Sequence, residues 1–107
     1  MRSIFGTVLV GAAFAALATP SFSQELGDAK RGEDLAKTVC AECHAVEKGQ
    51  GRSRNGEAPR FQTLATTPGF TPMAFKVALR TSHAKMPNLV LKNQEIDDLI
   101  AYIATLR

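Results

Sequence analysis

Apolar positions along the chain fall into four groups, and their spacing differs between them. Ile4 to Ala18 is an unbroken uncharged run rich in Ala, Val, Leu and Phe. Gly32, Leu35, Ala36 and Val39 then recur at helical spacing and lead into Cys40. Asp28 stands before them as an N-cap, and Arg31 in place of an acid three residues later means no capping box. This predicts a first helix over 28–43. Residues 45–60, rich in Gly, Arg, Ser and Asn, read as loop, and Phe61–Ala65 as one short helical turn. Thr71-Pro72 is a hydroxyl cap followed by a proline at the first helical position. The stripe Phe75, Val77, Ala78 and Leu79 carries that helix to about Ser82. Met86-Pro87 must be non-helical, because the residue before a proline is pushed out of the α region. Ile96, Leu99, Ile100, Ile103 and Leu106 give a final helix, capped by Asn93, one long apolar face. Asp97 and Asp98 near its start and Arg107 at its end suit the helix dipole. No segment alternates as a strand, so the predicted class is all-α.

The first group has a different meaning. Met1-Arg2 is a short basic start, and Thr19-Pro20-Ser21-Phe22-Ser23 breaks the apolar run. This is the layout of a secretory signal peptide over residues 1–23, with cleavage before Gln24 and cleavage after Ala18 as the alternative. A retained anchor is the other reading, but the run is short of the about 20 residues a spanning helix needs. One domain, residues 24–107, remains. It is at a size where a polypeptide core alone is marginal. It has no Trp, and its large aromatic side chains are Phe61, Phe70, Phe75 and Tyr102. So little aromatic bulk suggests that something other than side chains fills its middle. The net charge of +3, one less without Arg2, is too mild to argue for nucleic acid.

Cys40-Ala41-Glu42-Cys43-His44 supplies the candidate filler: a C-x-x-C-H run reads as a c-type haem attachment site. Two thiols three positions apart can each add to one vinyl group of a single porphyrin. The adjacent imidazole is then held under the iron as an axial ligand. A thioredoxin-like pair would want a βαβ pattern, which the sequence lacks. A structural zinc site wants four ligands, and the chain offers two Cys and one further His, His83. A plain disulfide leaves His44 unexplained.

If His44 takes one axial position, the other has three candidates: Met73, His83 and Met86. Met73 falls at the second position of a predicted helix and reads as core filler. His83 would give a bis-His site, or is a helix-end histidine. Met86 lies in a non-helical stretch stiffened by Pro87, which could turn its thioether inward. A thioether favours reduced iron, so His/Met ligation raises the reduction potential.

These residues resemble the small monohaem class I c-type cytochromes, particularly those of bacterial periplasms. The resemblance covers about residues 28–107. Gly32, eight residues before Cys40, matches the family glycine at which the first and last helices cross. Ala58-Pro59-Arg60-Phe61 is similar to the Gly-Pro-x-Leu segment, whose proline carbonyl accepts a hydrogen bond from the proximal histidine; here that implies Pro59 and His44. Met86-Pro87-Asn88 matches the distal methionine segment. Asp98-Leu99-Ile100-Ala101-Tyr102-Ile103 matches the C-terminal helix, with Leu99 and Tyr102 implied to pack around Gly32. Ala36 stands where the family has an aromatic residue, and Ala58 where it has Gly. The stretch from His44 to Met86 is shorter than in mitochondrial cytochromes c. No Trp is present to bond a haem propionate, and Arg60, then Arg52 and Arg54, are the candidate substitutes.

The resemblance implies a cytochrome c fold of three to five helices around one covalent haem c. It also implies iron held by His44 and Met86, and export to the periplasm, where bacterial haem attachment occurs. With both axial positions filled, no site remains for a substrate. The scattered carboxylates read as solvated surface charge. The expected function is one-electron transfer by a non-enzymatic, monomeric carrier. Redox proteins would dock on the exposed haem edge, where Lys85, Lys48 and Lys92 either form a basic rim that steers them or are ordinary surface charge. A dedicated haem subunit of a periplasmic oxidoreductase and a haem-based sensor are the alternatives.

Overall fold

A computed structural model describes residues 27–81 and 85–107. The leader reading (1–23), Ser82 and His83 lie outside the described residues. Four α-helices are present: α1 Ala29–Thr38, α2 Phe61–Thr66, α3 Pro72–Arg80 and α4 Asn93–Ala104, with a 3-10 turn at Cys40–Glu42. No strand occurs among the described residues, in agreement with the all-α class expected.

Helix starts follow their caps. Asp28 accepts from the Arg31 N–H at 2.9 Å, and Thr71 Oγ1 accepts from the Ala74 N–H at 3.1 Å with Pro72 at the first helical position. Asn93, expected as a cap, is instead the first residue of α4. The Glu95 carboxylate reaches back to the Lys92 N–H at 2.7 Å and starts the helix one residue earlier. The first helix also ends sooner than its apolar spacing predicts. Thr38 Oγ1 takes the carbonyls of Asp34 (2.9 Å) and Leu35 (3.2 Å), and the chain tightens into the 3-10 turn.

The molecule is organised by α1 lying against α4. A Cβ on Gly32 would sit 2.0 Å from the Asp98 carbonyl oxygen, and one on Gly27 1.9 Å from that of Asp97. Only hydrogen fits at either place. Ala36, fully buried beside these glycines, belongs to a core with Val46, Phe61, Phe75, Leu99, Tyr102, Ile103 and Leu106. The buried positions on α4 repeat as its spacing predicts. Tyr102 also donates its hydroxyl to the Val46 carbonyl at 2.7 Å, tying α4 to the loop after the Cys motif.

Asp98 corrects the reading of the acids as solvated. It is buried, and Arg31 Nε donates to its Oδ2 at 2.9 Å and Nη2 to its Oδ1 at 3.1 Å. The Asp28 N–H (2.6 Å) and Gln94 Nε2 (3.0 Å) complete the shell. The Arg31 guanidinium first, and then the Asp28 amide, hold its carboxyl down at about 2 despite burial. Met73 and Val77 correct the reading of α3: they are 68% and 54% exposed. Phe75 is the buried member of that helix, and Val77, two residues on, falls about 200° around it.

Candidate functional site

Between α2, α3, α4 and the Cys turn lies a cavity of about 720 Å³. Its walls are mostly apolar: Val39, Phe61, Leu64, Phe70, Phe75 and Leu99 among others. Three of the four large aromatics, Phe61, Phe70 and Phe75, are spent on its walls. Phe70 and Phe75 meet edge-on at 5.6 Å between ring centres. The size and character are those of a site for one compact apolar ligand.

One wall is the Cys turn. The His44 N–H bonds the Cys40 carbonyl at 2.9 Å and the Cys43 N–H the same oxygen at 3.2 Å. This tight turn sets Cys40, Cys43 and His44 against one cavity. It is a separate element rather than the last turn of α1. Neither cysteine is in a disulfide, and burial pushes the Cys40 thiol up to about 11.

His44 is oriented from behind. Its Nδ1 lies 2.7 Å from the Pro59 carbonyl oxygen. A carbonyl can only accept, so the contact requires the proton on Nδ1 and leaves the lone pair on Nε2. The loop holding Pro59 is pinned to the turn. The Asn55 N–H bonds the Cys43 carbonyl (3.0 Å), the Phe61 N–H that of Ala45 (2.9 Å), and the Ala45 N–H the buried Ser53 hydroxyl (2.9 Å). The Phe61 ring, tilted 53° at 5.4 Å, restrains the imidazole from the side.

The other wall includes the segment after α3. Lys85, Met86, Pro87 and Leu89 line the cavity together with Ala78 and Leu79 of α3. Cys40, Cys43, His44, Pro59 and Met86 thus all face one space. Met73 does not, being exposed on α3.

The arginines offered for a propionate are not brought here. Arg60, Arg52 and Arg54 do not line the cavity, and Arg60 reaches instead toward the carbonyls of Gln50 (3.4 Å) and Gly51 (3.5 Å). The basic rim narrows similarly. Lys48 bonds the Arg107 carbonyl at 3.0 Å, Lys92 stands at the start of α4, and Lys85 alone of the three lines the cavity. Sequence reasoning missed Asn55 and Glu57, which also line it. The one signal for them was an Asn-Gly turn, Asn55-Gly56, followed directly by the acid Glu57.

Two free thiols, an imidazole with an open Nε2 and a thioether around one apolar space are a donor set that fits a covalently tethered haem. Among the described residues no group of three or more His, Cys, Asp and Glu side chains could hold a metal ion by themselves, and no helix is long and apolar enough to cross a membrane.

Comparison with known proteins agrees. Residues 27–103 match the family model described as cytochrome C oxidase, cbb3-type, subunit III. Cytochrome c-552 of Bradyrhizobium diazoefficiens is 39% identical over 92 residues, covering 86% of this chain and 88% of that protein. Cytochrome c of Sesamum indicum is 45% identical over 49 residues, 42% of each chain. That of Guizotia abyssinica is 57% identical over 28 residues, 26% of this chain and 25% of that one. No solved structure matches.

Proposed function

Because this chain belongs to the family of c-type cytochromes, we propose that it is an exported one-electron carrier whose iron is held between His44 and Met86. Members of the family bind haem c covalently and transfer electrons through it, and are in general carriers rather than enzymes. The bound haem supplies a one-electron couple. The reading rests on one observation: His44 and Met86, 42 residues apart in sequence, line the same cavity.

The roles of the chain's own residues follow. Cys40 and Cys43 fix the cofactor through thioethers. The Pro59 carbonyl holds His44 in the tautomer that presents Nε2, and raises the basicity of its ring. Pro87 keeps Met86 extended and inward. Ligands fixed on both sides leave little to rearrange between oxidation states, and the apolar lining and the thioether together raise the potential.

Residues 1–23 would direct export and be removed, so that residues 24–107 work in the periplasm. Redox proteins would dock at the haem edge through a small transient contact. A second reading, a dedicated haem subunit, is favoured by the description of the matching family model. Co-purification with a larger redox partner from the native membrane or periplasm would favour that second reading.

Carbon monoxide decides between carrier and ligand sensor. Reduced holoprotein at neutral pH is expected not to bind it, and binding by the unmodified protein would contradict the carrier reading. Attachment is tested separately. Cys40→Ser with Cys43→Ser should abolish covalent haem, and its retention would overturn the role of the motif.

A further inference from the structure

A charged pair joins the two walls of the cavity where they come to the surface. Lys85 Nζ sits 2.6 Å from both carboxylate oxygens of Glu57. Glu57 belongs to the loop that carries Pro59, Lys85 is the neighbour of Met86, and all four residues line the cavity. The ion pairs Arg31–Asp98 and Lys76–Asp97 also bridge separate elements, but they tie α1 and α3 to α4 away from the cavity lining, whereas Glu57 and Lys85 both line it. The pair Lys85–Glu57 bridges residues 28 apart in sequence.

The backbone at Glu57 is held by bonds that do not involve Lys85. Asn55 Oδ1 accepts from the Glu57 N–H at 3.0 Å, and the Ala58 N–H bonds the Asn55 carbonyl at 3.0 Å, so a compact turn fixes the acid. The Asn55 N–H in turn bonds the Cys43 carbonyl at 3.0 Å. A continuous path therefore runs from the attachment turn, through Asn55 and Glu57, to Lys85 and the backbone of Met86.

We propose that Glu57 and Lys85 form a clamp across the cavity mouth that positions Met86 against the iron, making both of them positioning residues for the coordination sphere. This rests on the reading of Met86 as ligand. The distal segment needs such a tether: Met86 is only partly buried, and Leu89 and Leu91 are its partly buried apolar neighbours. Both partners of the pair are more than half exposed, so the clamp is modest and salt-sensitive. A modest term suffices, because an exogenous ligand competes directly with the thioether.

The test is imidazole binding to the oxidised holoprotein, followed in the Soret region and by loss of the methionine-to-iron charge-transfer band. Glu57→Gln and Lys85→Gln are each expected to raise imidazole affinity about two- to five-fold. The double variant should gain no more than either single one, as for two members of one interaction. Charge reversal, Glu57→Lys with Lys85→Glu, should return the affinity toward that of the native protein. Added salt should raise the native affinity toward the single variants and leave theirs unchanged. Met86→Ala separates the two possible failures. If it abolishes the band while both Gln variants bind imidazole as the native protein does, or add their effects, the clamp is wrong and the ligand stands. If it keeps the band, the ligand assignment falls and the clamp with it.

Discussion

The α1–α4 contact and the haem cavity are closed by opposite means. At the helix contact the polypeptide meets itself: Gly27 and Gly32 admit the opposing backbone, and Asp98 is saturated by Arg31, Asp28 and Gln94. At the cavity the chain supplies only walls, and the space of about 720 Å³ is left for a cofactor. One region is specified by fit between protein atoms. The other is specified by four donor residues, Cys40, Cys43, His44 and Met86, brought to the lining of one space. A domain this small can afford so open a centre because the cofactor supplies the missing core and its two tethers fix it in place.

The largest expected effect tests the fitted half. Gly32→Val forces a side chain into the Asp98 carbonyl, and should cost about 3 kcal/mol or more in thermal unfolding of the holoprotein. The folded fraction should keep its methionine-to-iron band, since the cavity does not include Gly32. Loss of the band at unchanged stability would show that the two regions are not separable.

Asp98→Asn comes next, at about 2 kcal/mol. Its sign with pH follows from the depressed carboxyl. The native protein carries this stabilisation above the ordinary aspartate value near 4 and loses it as pH falls through about 2. Urea unfolding across that window should show a steeper acid loss in the native protein than in Asp98→Asn. Equal slopes would remove Asp98 from the account of the helix contact.

Tyr102→Phe removes the bond to the Val46 carbonyl and should cost about 1 kcal/mol, leaving a buried acceptor unpaired. Smallest of all, Lys30→Ala breaks exposed pairs within α1 and should leave the melting temperature unchanged.

How much of this could be seen in the sequence differs between the same two regions. The cavity was largely legible. Cys40, Cys43 and His44 are adjacent in sequence, and Pro59 and Met86 were marked by motifs that resemble the family pattern. The buried face of α4 was legible too, because burial against one neighbour imposes a 3.6-residue period. What sequence could not carry were pairings over long separations. Asp98 looks like any acid in the first half of a helix until Arg31 and Asp28 close over it. Arg60 looked suited to a propionate until the loop turned it toward Gln50 and Gly51. Val77 and Met73 read as core because hydropathy alone does not record which side of α3 meets the cavity. The early end of α1 depended on a side-chain bond from Thr38, which propensity does not show.

The central claim is that the two walls bring His44 and Met86 to one iron. Its most direct test is the absorption spectrum of oxidised Met86→Ala holoprotein. The account predicts that the weak methionine-to-iron charge-transfer band of the native protein disappears, with the covalent haem still attached through Cys40 and Cys43. A band of unchanged position and intensity would contradict it.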